Sequence, residues 1–161
     1  MRFFVQSTPA PKPKTKNIFI ISVATAGIFV VLAVAQLFTY EKFPAFLAEV
    51  WGNEETIKTH LSAALIVIVE VAAIPFLLSM RLSPAMRLVS MTSGWLVAAV
   101  WLVGSLQGNI LGVANSALLG ATIPLVQGWW SVFFSLALGV LVAWSSWGMW
   151  PSHNESKKVV K

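Results

Sequence analysis

The sequence predicts an all-α membrane protein, a bundle of four transmembrane helices with both termini in the cytoplasm and a short interfacial helix in the first outer loop. This prediction depends on the composition, on four long apolar runs and on the placement of basic residues. Of the 161 residues, 57% are hydrophobic and 11% are charged, whereas soluble domains carry about 25% charged residues. The composition therefore indicates that lipid surrounds most of a single domain.

Four apolar runs are each close to the length of about 20 residues that crosses a bilayer. They cover approximately residues 18–38, 61–78, 88–106 and 130–147. Glu70 is the charged residue within them. We therefore expect three parts: a flexible basic tail over residues 1–16, a transmembrane domain over 17–150 and a cytoplasmic tail over 151–161.

Basic residues collect on one side of the predicted bundle. They precede the first run, form the turn between the second and third runs with Arg81 and Arg87, and follow the fourth run. On the other side, Lys42 and Lys58 are accompanied by glutamates. The positive-inside rule then predicts cytoplasmic termini, in a bacterial plasma membrane. Because orientation accounts for the positive charge, we expect the lipid bilayer, and not nucleic acid, as a partner.

Aromatic residues mark where the predicted bundle meets the membrane interfaces. Tryptophans flank the fourth run at both ends, as interfacial anchors do: Trp129, Trp130, Trp147 and Trp150. Between the first and second runs, apolar residues recur at helical spacing: Phe43, Phe46, Leu47, Val50 and Trp51. This spacing predicts a short helix along the outer membrane face. The alternative is a solvated loop with a few apolar contacts.

Glu70 is the main candidate for a functional side chain, because an ionised carboxylate at bilayer depth is costly. It is expected to face the bundle interior, to find a partner or to be protonated. Gln36, in the first run, is the natural partner, and such a pair would favour a protonated carboxyl. Glu70, Gln36 and Trp95 are the candidates for a ligand-binding or proton-titrating site. The alternatives are a structural strut for Glu70 and a core or lipid contact for Trp95. Pro75 predicts a kink in the second helix.

No motif in the sequence specifies an enzyme, and we predict no catalytic residue and no metal site. The chain has no cysteine, which excludes thiol chemistry and disulfides. His60 and His153 lack the spacing of metal ligands. Small residues recur at four-residue spacing in the third run, Ser90, Gly94 and Ala98. This spacing favours close helix packing over a dimer face, although an oligomer is compatible with it.

Residues 114–130, "ANSALLGATIPLVQGWW", carry no charge and connect the third and fourth runs on the outer side. In this segment and just before it, glycine and proline are expected to break regular helix: Gly108, Gly112, Gly120, Pro124 and Gly128. The apolar residues predict that the segment folds against the bundle as a cap. Irregular backbone at such depth must pack on protein or line water.

The order of these features resembles the MauE/DoxX-like family of small four-helix membrane proteins, and the MauE branch most closely. The resemblance covers roughly residues 18–147. Three segments carry it: "AVAQLFTYEKF" at the end of the first helix, "VIVEVAAIPFLLSMRLSPAMR" around Glu70, and "QGWWSVFFSLALGVL" at the start of the fourth helix. Where members related to MauE carry a Cys-x-Cys motif followed by Phe-Gly, this chain has "NSALLGA", which includes Asn115, Ser116 and Gly120.

The resemblance implies the four-helix fold and, at Gln36, an amide in place of the family's lysine. MauE is associated with maturation of methylamine dehydrogenase, and DoxX-like relatives with thiosulfate and quinone chemistry. Our leading hypothesis is an accessory or scaffold protein that serves an extracytoplasmic or redox partner without thiol chemistry. One alternative is a membrane subunit of an oxidoreductase that binds quinone or a sulfur compound through Glu70. A second alternative is a small oligomeric transporter.

Overall fold

The computed structural model describes residues 13–52, 54, 56–121, 123 and 125–149. Its elements are α1 (Lys16–Phe38), α2 (Phe43–Val50), α3 (Ile57–Leu77), α4 (Pro84–Leu111), β1 (Asn115–Ser116), β2 (Leu125–Val126) and α5 (Trp129–Met149). Most of both predicted tails, together with Pro124 and Trp150, lies outside the described residues. Helices α1, α3, α4 and α5 are long and apolar enough to cross a membrane, which indicates a multi-pass membrane protein.

The four long helices form a closed ring in which each packs on two neighbours. Helix α1 packs on α3, α3 on α4, α4 on α5, and α5 returns to α1. The short helix α2 packs against α3 and α4 at the end of α1. Five of its eight residues are buried: Phe43, Pro44, Leu47, Ala48 and Val50. A helix is therefore present where the aromatic spacing predicts one, and its apolar side packs on the bundle.

Helix α4 is longer than the apolar run that predicts it. It begins at Pro84, whose fixed φ suits the first helical position, and the Ser83 hydroxyl accepts a hydrogen bond from the Met86 amide at 3.3 Å. It ends at Leu111, and the next residue, Gly112, closes the helix with a φ of +66°. The expectation that Gly108 breaks the helix is wrong, because Gly108 lies inside α4. A Cβ at Gly108 would lie 3.0 Å from Gln127 Nε2, so its lack of a side chain makes room for Gln127.

Pro75 lies inside the last turns of α3, where it has no amide hydrogen to donate to the preceding turn. The Ser90 hydroxyl of α4 contacts the backbone of α3 on both sides of this proline. It donates to the Ala72 carbonyl at 2.6 Å and accepts from the Phe76 amide at 3.0 Å. A serine of the neighbouring helix thus satisfies the backbone groups that the proline separates.

The bundle is apolar outside and partly polar inside. Large apolar side chains are exposed along the long helices, for example Val31 at 59%, Ile68 at 62% and Val140 at 59%. Small hydroxyl side chains are buried, among them Ser22, Thr25, Ser105, Ser131 and Ser135. This arrangement suits a lipid solvent, because lipid solvates apolar surface while small polar residues allow close helix approach.

The segment between α4 and α5, which we call the cap (residues 114–128), folds back onto the end of α1. Strands β1 and β2 form a two-residue antiparallel pair, with Asn115 opposite Val126 and Ser116 opposite Leu125. At the base of the cap, Ala117 and Leu118 are 1% and 2% exposed. Gly120, with a φ of +58°, carries the chain past α1.

Gly120→Ala should destabilise the protein more than Gly112→Ala does. Both glycines have positive φ, which costs other residues about 1–2 kcal/mol. A Cβ at Gly120 would in addition lie 2.6 Å from Thr39 Oγ1 and 3.1 Å from the Ala35 carbonyl oxygen, whereas nothing lies within 4 Å at Gly112. Thermal unfolding in detergent should show the larger loss at Gly120. Equal losses would mean that the cap does not pack on α1.

Candidate functional site

Glu70 lies at the centre of the bundle, where three helices meet. It is on α3 and is fully buried. Its Oε1 atom accepts a hydrogen bond from Gln36 Nε2 of α1 at 3.1 Å and another from Trp101 Nε1 of α4 at 2.9 Å. The pairing of Gln36 with Glu70 that the sequence predicts is confirmed. One carboxyl oxygen therefore joins α1, α3 and α4.

The same glutamine joins the acid to the cap. Gln36 Nε2 donates a second hydrogen bond, to the Leu118 carbonyl oxygen at 3.1 Å. One turn further along the chain, Thr39 Oγ1 accepts from the Ala121 amide at 2.9 Å. Gln36 and Thr39, one turn apart at the end of α1, thus both bond to the backbone of the cap. Gln36 is in turn bonded to Glu70. We call Glu70, Gln36, Trp101 and the Leu118 carbonyl the Glu70 network.

The Glu70 network is not saturated within the described residues. Glu70 Oε2 and Gln36 Oε1 are both buried and have no hydrogen-bond partner there. Burial of a polar atom without a partner costs about 1–3 kcal/mol, so such atoms deserve a physical explanation. A carboxyl group with one free oxygen beside a free amide oxygen has the capacity to hold a proton or a polar ligand group.

An apolar cavity of about 480 Å³ lies beside this network, between α1 and α5 and beneath the cap. Leu32, one turn before Gln36 on α1, and Leu118 of the cap both line it. Trp130 and Phe134 form part of its wall on α5. Glu70 and Gln36 are not among the lining residues, so these leucines lie at the border between the polar network and the apolar cavity.

Trp95, a candidate from the sequence, is not part of the Glu70 network. It is 46% exposed and lines a groove on the outer surface of α4 and α5. The tryptophan that contacts the acid is Trp101, which is 2% exposed. The spacing of small residues in α4 could have indicated that Trp101, and not Trp95, is buried. Trp101 continues the face set by Gly94 and Ala98, the face of α4 that packs inside the bundle, and Trp95 is one residue off that face.

The remaining candidates lie on the cap and at the ends of α5. Asn115 and Ser116 form β1, and the buried Ser116 hydroxyl has no partner within the described residues. Trp129 and Trp147 are 67% and 80% exposed near opposite ends of α5, which has 21 residues and a length of about 30 Å. Trp130 Nε1 donates to the Val126 carbonyl at 2.6 Å. This bond joins the start of α5 to the cap.

Comparison with known proteins gives no match for this chain: no protein-family description, no curated protein and no solved structure matches it. Within the described residues, no group of three or more histidine, aspartate or glutamate side chains could hold a metal ion.

Trp101→Phe should destabilise the protein, whereas Trp95→Phe should have little effect. The phenylalanine at position 101 keeps most of the buried ring but removes the indole donor to Glu70, and the loss is expected to be about 1 kcal/mol. Trp95 is a matched control on the same helix, because its ring is half exposed. Urea unfolding in detergent measures both. An equal effect at the two positions would show that the indole of Trp101 contributes no hydrogen bond of consequence.

Proposed function

We propose that this protein is a non-catalytic accessory or scaffold protein of the bacterial plasma membrane, which presents its cap and α2 to an extracytoplasmic protein partner. The observation that carries the proposal is the hydrogen-bond chain from Glu70 through Gln36 to the Leu118 carbonyl. It connects the most deeply buried charge-bearing group to the backbone of a loop. A loop that is fixed in this way presents a defined surface, which is what a binding partner requires.

The surface of the cap is suited to protein contact. Ile123 and Val126 are 50% and 71% exposed, and Trp129, where the cap joins α5, is 67% exposed. Tryptophan and other apolar side chains are enriched at the core of protein interfaces. By the positive-inside rule, the placement of basic residues predicts that this end of the bundle faces outwards. The resemblance to the MauE/DoxX-like family, which includes proteins that mature a partner enzyme, supports the same proposal.

A second candidate is a membrane subunit that binds a quinone or a similarly apolar ligand with a polar head. Two observations favour it: the unpartnered Oε2 of Glu70 and the apolar cavity of about 480 Å³ beside it. A ligand tail in the cavity would need movement of Leu32 or Leu118 to bring its head to Glu70. A protonated Glu70 would then donate a hydrogen bond to a ligand carbonyl. The absence of cysteine restricts either function to chemistry without thiols.

A single cysteine at Val126 should react from outside intact cells and cross-link to one defined partner protein. The chain has no cysteine of its own, so Val126→Cys gives one reactive site on the cap. A membrane-impermeant maleimide cross-linker should yield one adduct of constant mass, identified by mass spectrometry. The reason is that Val126 is 71% exposed at the end proposed to face outwards.

Met80→Cys is the matched control, since Met80 is 51% exposed in the turn at the opposite end. It should react only after the membrane is permeabilised and should not give the same adduct. If Met80→Cys is labelled in intact cells, the bundle has the opposite orientation to the one proposed. Combining Val126→Cys with Glu70→Gln should leave the adduct in place, because the glutamine oxygen can still accept the hydrogen bonds from Gln36 and Trp101 that hold the cap. If Glu70→Gln removes it in a protein that still folds, the ligand-binding candidate gains support over the scaffold.

A further inference from the structure

A groove runs along the outer surface of the bundle between α4 and α5, away from the cap. Two adjoining cavities form it. One, of about 520 Å³, is lined by Lys14, Met91, Trp95, Ala143, Ser146 and Trp147. The other, of about 380 Å³, shares Trp95 and Ala143 with it and continues towards Leu102 and Leu136. We call these together the α4–α5 groove.

The dimensions of the groove match one leaflet of a bilayer. Along α5 it extends from Trp147 to Ser135, which corresponds to about 18 Å of helix. Half of the hydrocarbon core of a bilayer is about 15 Å thick. The floor is made of small residues, Ala98 and Gly139, where a Cβ on the glycine would lie 3.9 Å from the alanine. A floor of small residues between apolar side chains such as Leu102 and Leu136 suits a hydrocarbon chain.

The end of the groove near the chain termini carries positive charge. Lys14 is exposed, and its Nζ donates to the Trp147 carbonyl oxygen at 3.1 Å, which leaves two of its three donors for another acceptor. The glutamates among the described residues are on α2 and its flanks, at the opposite end of the bundle, or inside it at Glu70. The anion that suits Lys14 is therefore not a carboxylate of the described chain.

A buried hydroxyl group without a hydrogen-bond partner lies at the same end. Ser146 lines the groove next to Lys14 and is 8% exposed. Its Oγ atom has no hydrogen-bond partner among the described residues. Trp147, which is 80% exposed, stands beside them at the end of α5. A tryptophan ring at the end of a membrane-spanning helix is typical of the headgroup region of a bilayer.

We propose that the α4–α5 groove binds an anionic phospholipid from the leaflet at the Lys14 end. One acyl chain occupies the groove along Ala98 and Gly139, and the phosphate at the headgroup lies against the Lys14 ammonium. Charge complementarity selects an anionic headgroup, because a phosphate bonded to an ammonium is a strong charge-assisted pair. The proposal is independent of the Glu70 network and of the proposed function.

Native mass spectrometry of the full-length protein in a mild detergent tests this proposal, with phosphatidylglycerol and phosphatidylcholine of identical acyl chains as probes. We expect one phosphatidylglycerol to bind about tenfold more tightly than phosphatidylcholine. Lys14→Ala should abolish this preference. Lys16→Ala is the matched control, because Lys16 is also exposed but does not line the groove, and it should leave the preference unchanged.

A second variant tests the acyl-chain part of the groove. Gly139→Leu fills the floor and should weaken the binding of both lipids; Ala143→Val is a milder substitute if that variant does not fold. Equal affinity for the two lipids in the wild-type protein would overturn the proposal. Equal effects of Lys14→Ala and Lys16→Ala would also overturn it, because they would show that anionic lipid is attracted by positive charge in general and not by Lys14. Lipid binding unchanged in the filled variant, together with loss of a dimer, would assign the groove to a second copy of the chain.

Discussion

A carboxyl group inside a lipid-embedded bundle needs hydrogen-bond donors from other helices, and this need determines how the centre of the protein is built. The amide groups of its own helix are already used in the helical ladder, and lipid offers none. Glu70 obtains its donors from Gln36 on α1 and Trp101 on α4. These three helices must therefore approach one another at a fixed depth. Because Gln36 also reaches the Leu118 carbonyl, the position of the cap depends on the same carboxyl group.

Serine hydroxyls in the bundle also find their hydrogen-bond partners on neighbouring helices, although they are less polar than a carboxyl group. The hydroxyls of Ser105 on α4 and Ser135 on α5 lie 3.2 Å apart, and Ser90 bridges the backbone groups separated by Pro75. Between helices in lipid there is little hydrophobic driving force, so packing of small residues and such hydrogen bonds hold the bundle together. The exposed apolar side chains contribute contact with lipid. One groove among them, between α4 and α5, has a cation at its end.

The sequence predicts the four spans well, because length and apolar composition report directly on the membrane. It also predicts the Gln36–Glu70 pair, since acid and amide are the strongly polar side chains of adjacent spans. Trp101 was missed as the second donor because one helix holds two tryptophans, and only the face that carries Gly94 and Ala98 distinguishes the buried one. The limits of α4 were misplaced because the Ser83 cap and Gly112 set them, and these signals are local. The pairing of Asn115 with Val126 could not be predicted, because each strand has only two residues and an alternating pattern needs at least about four.

The central claim is that the Glu70 network holds the cap on the bundle, and hydrogen exchange of the cap amides tests it most directly. Gln36→Leu keeps the approximate size of the side chain but removes the bonds to Glu70 and to the Leu118 carbonyl. Exchange at Gly120 and Ala121, whose amides bond to the Ala117 carbonyl and to Thr39 Oγ1, should become about fivefold faster, as loss of roughly 1 kcal/mol of local stability predicts. Gln107→Leu, which removes a hydrogen bond to the Trp51 carbonyl instead, should leave these amides unchanged. If the cap exchanges at the wild-type rate in Gln36→Leu, the network does not hold the cap.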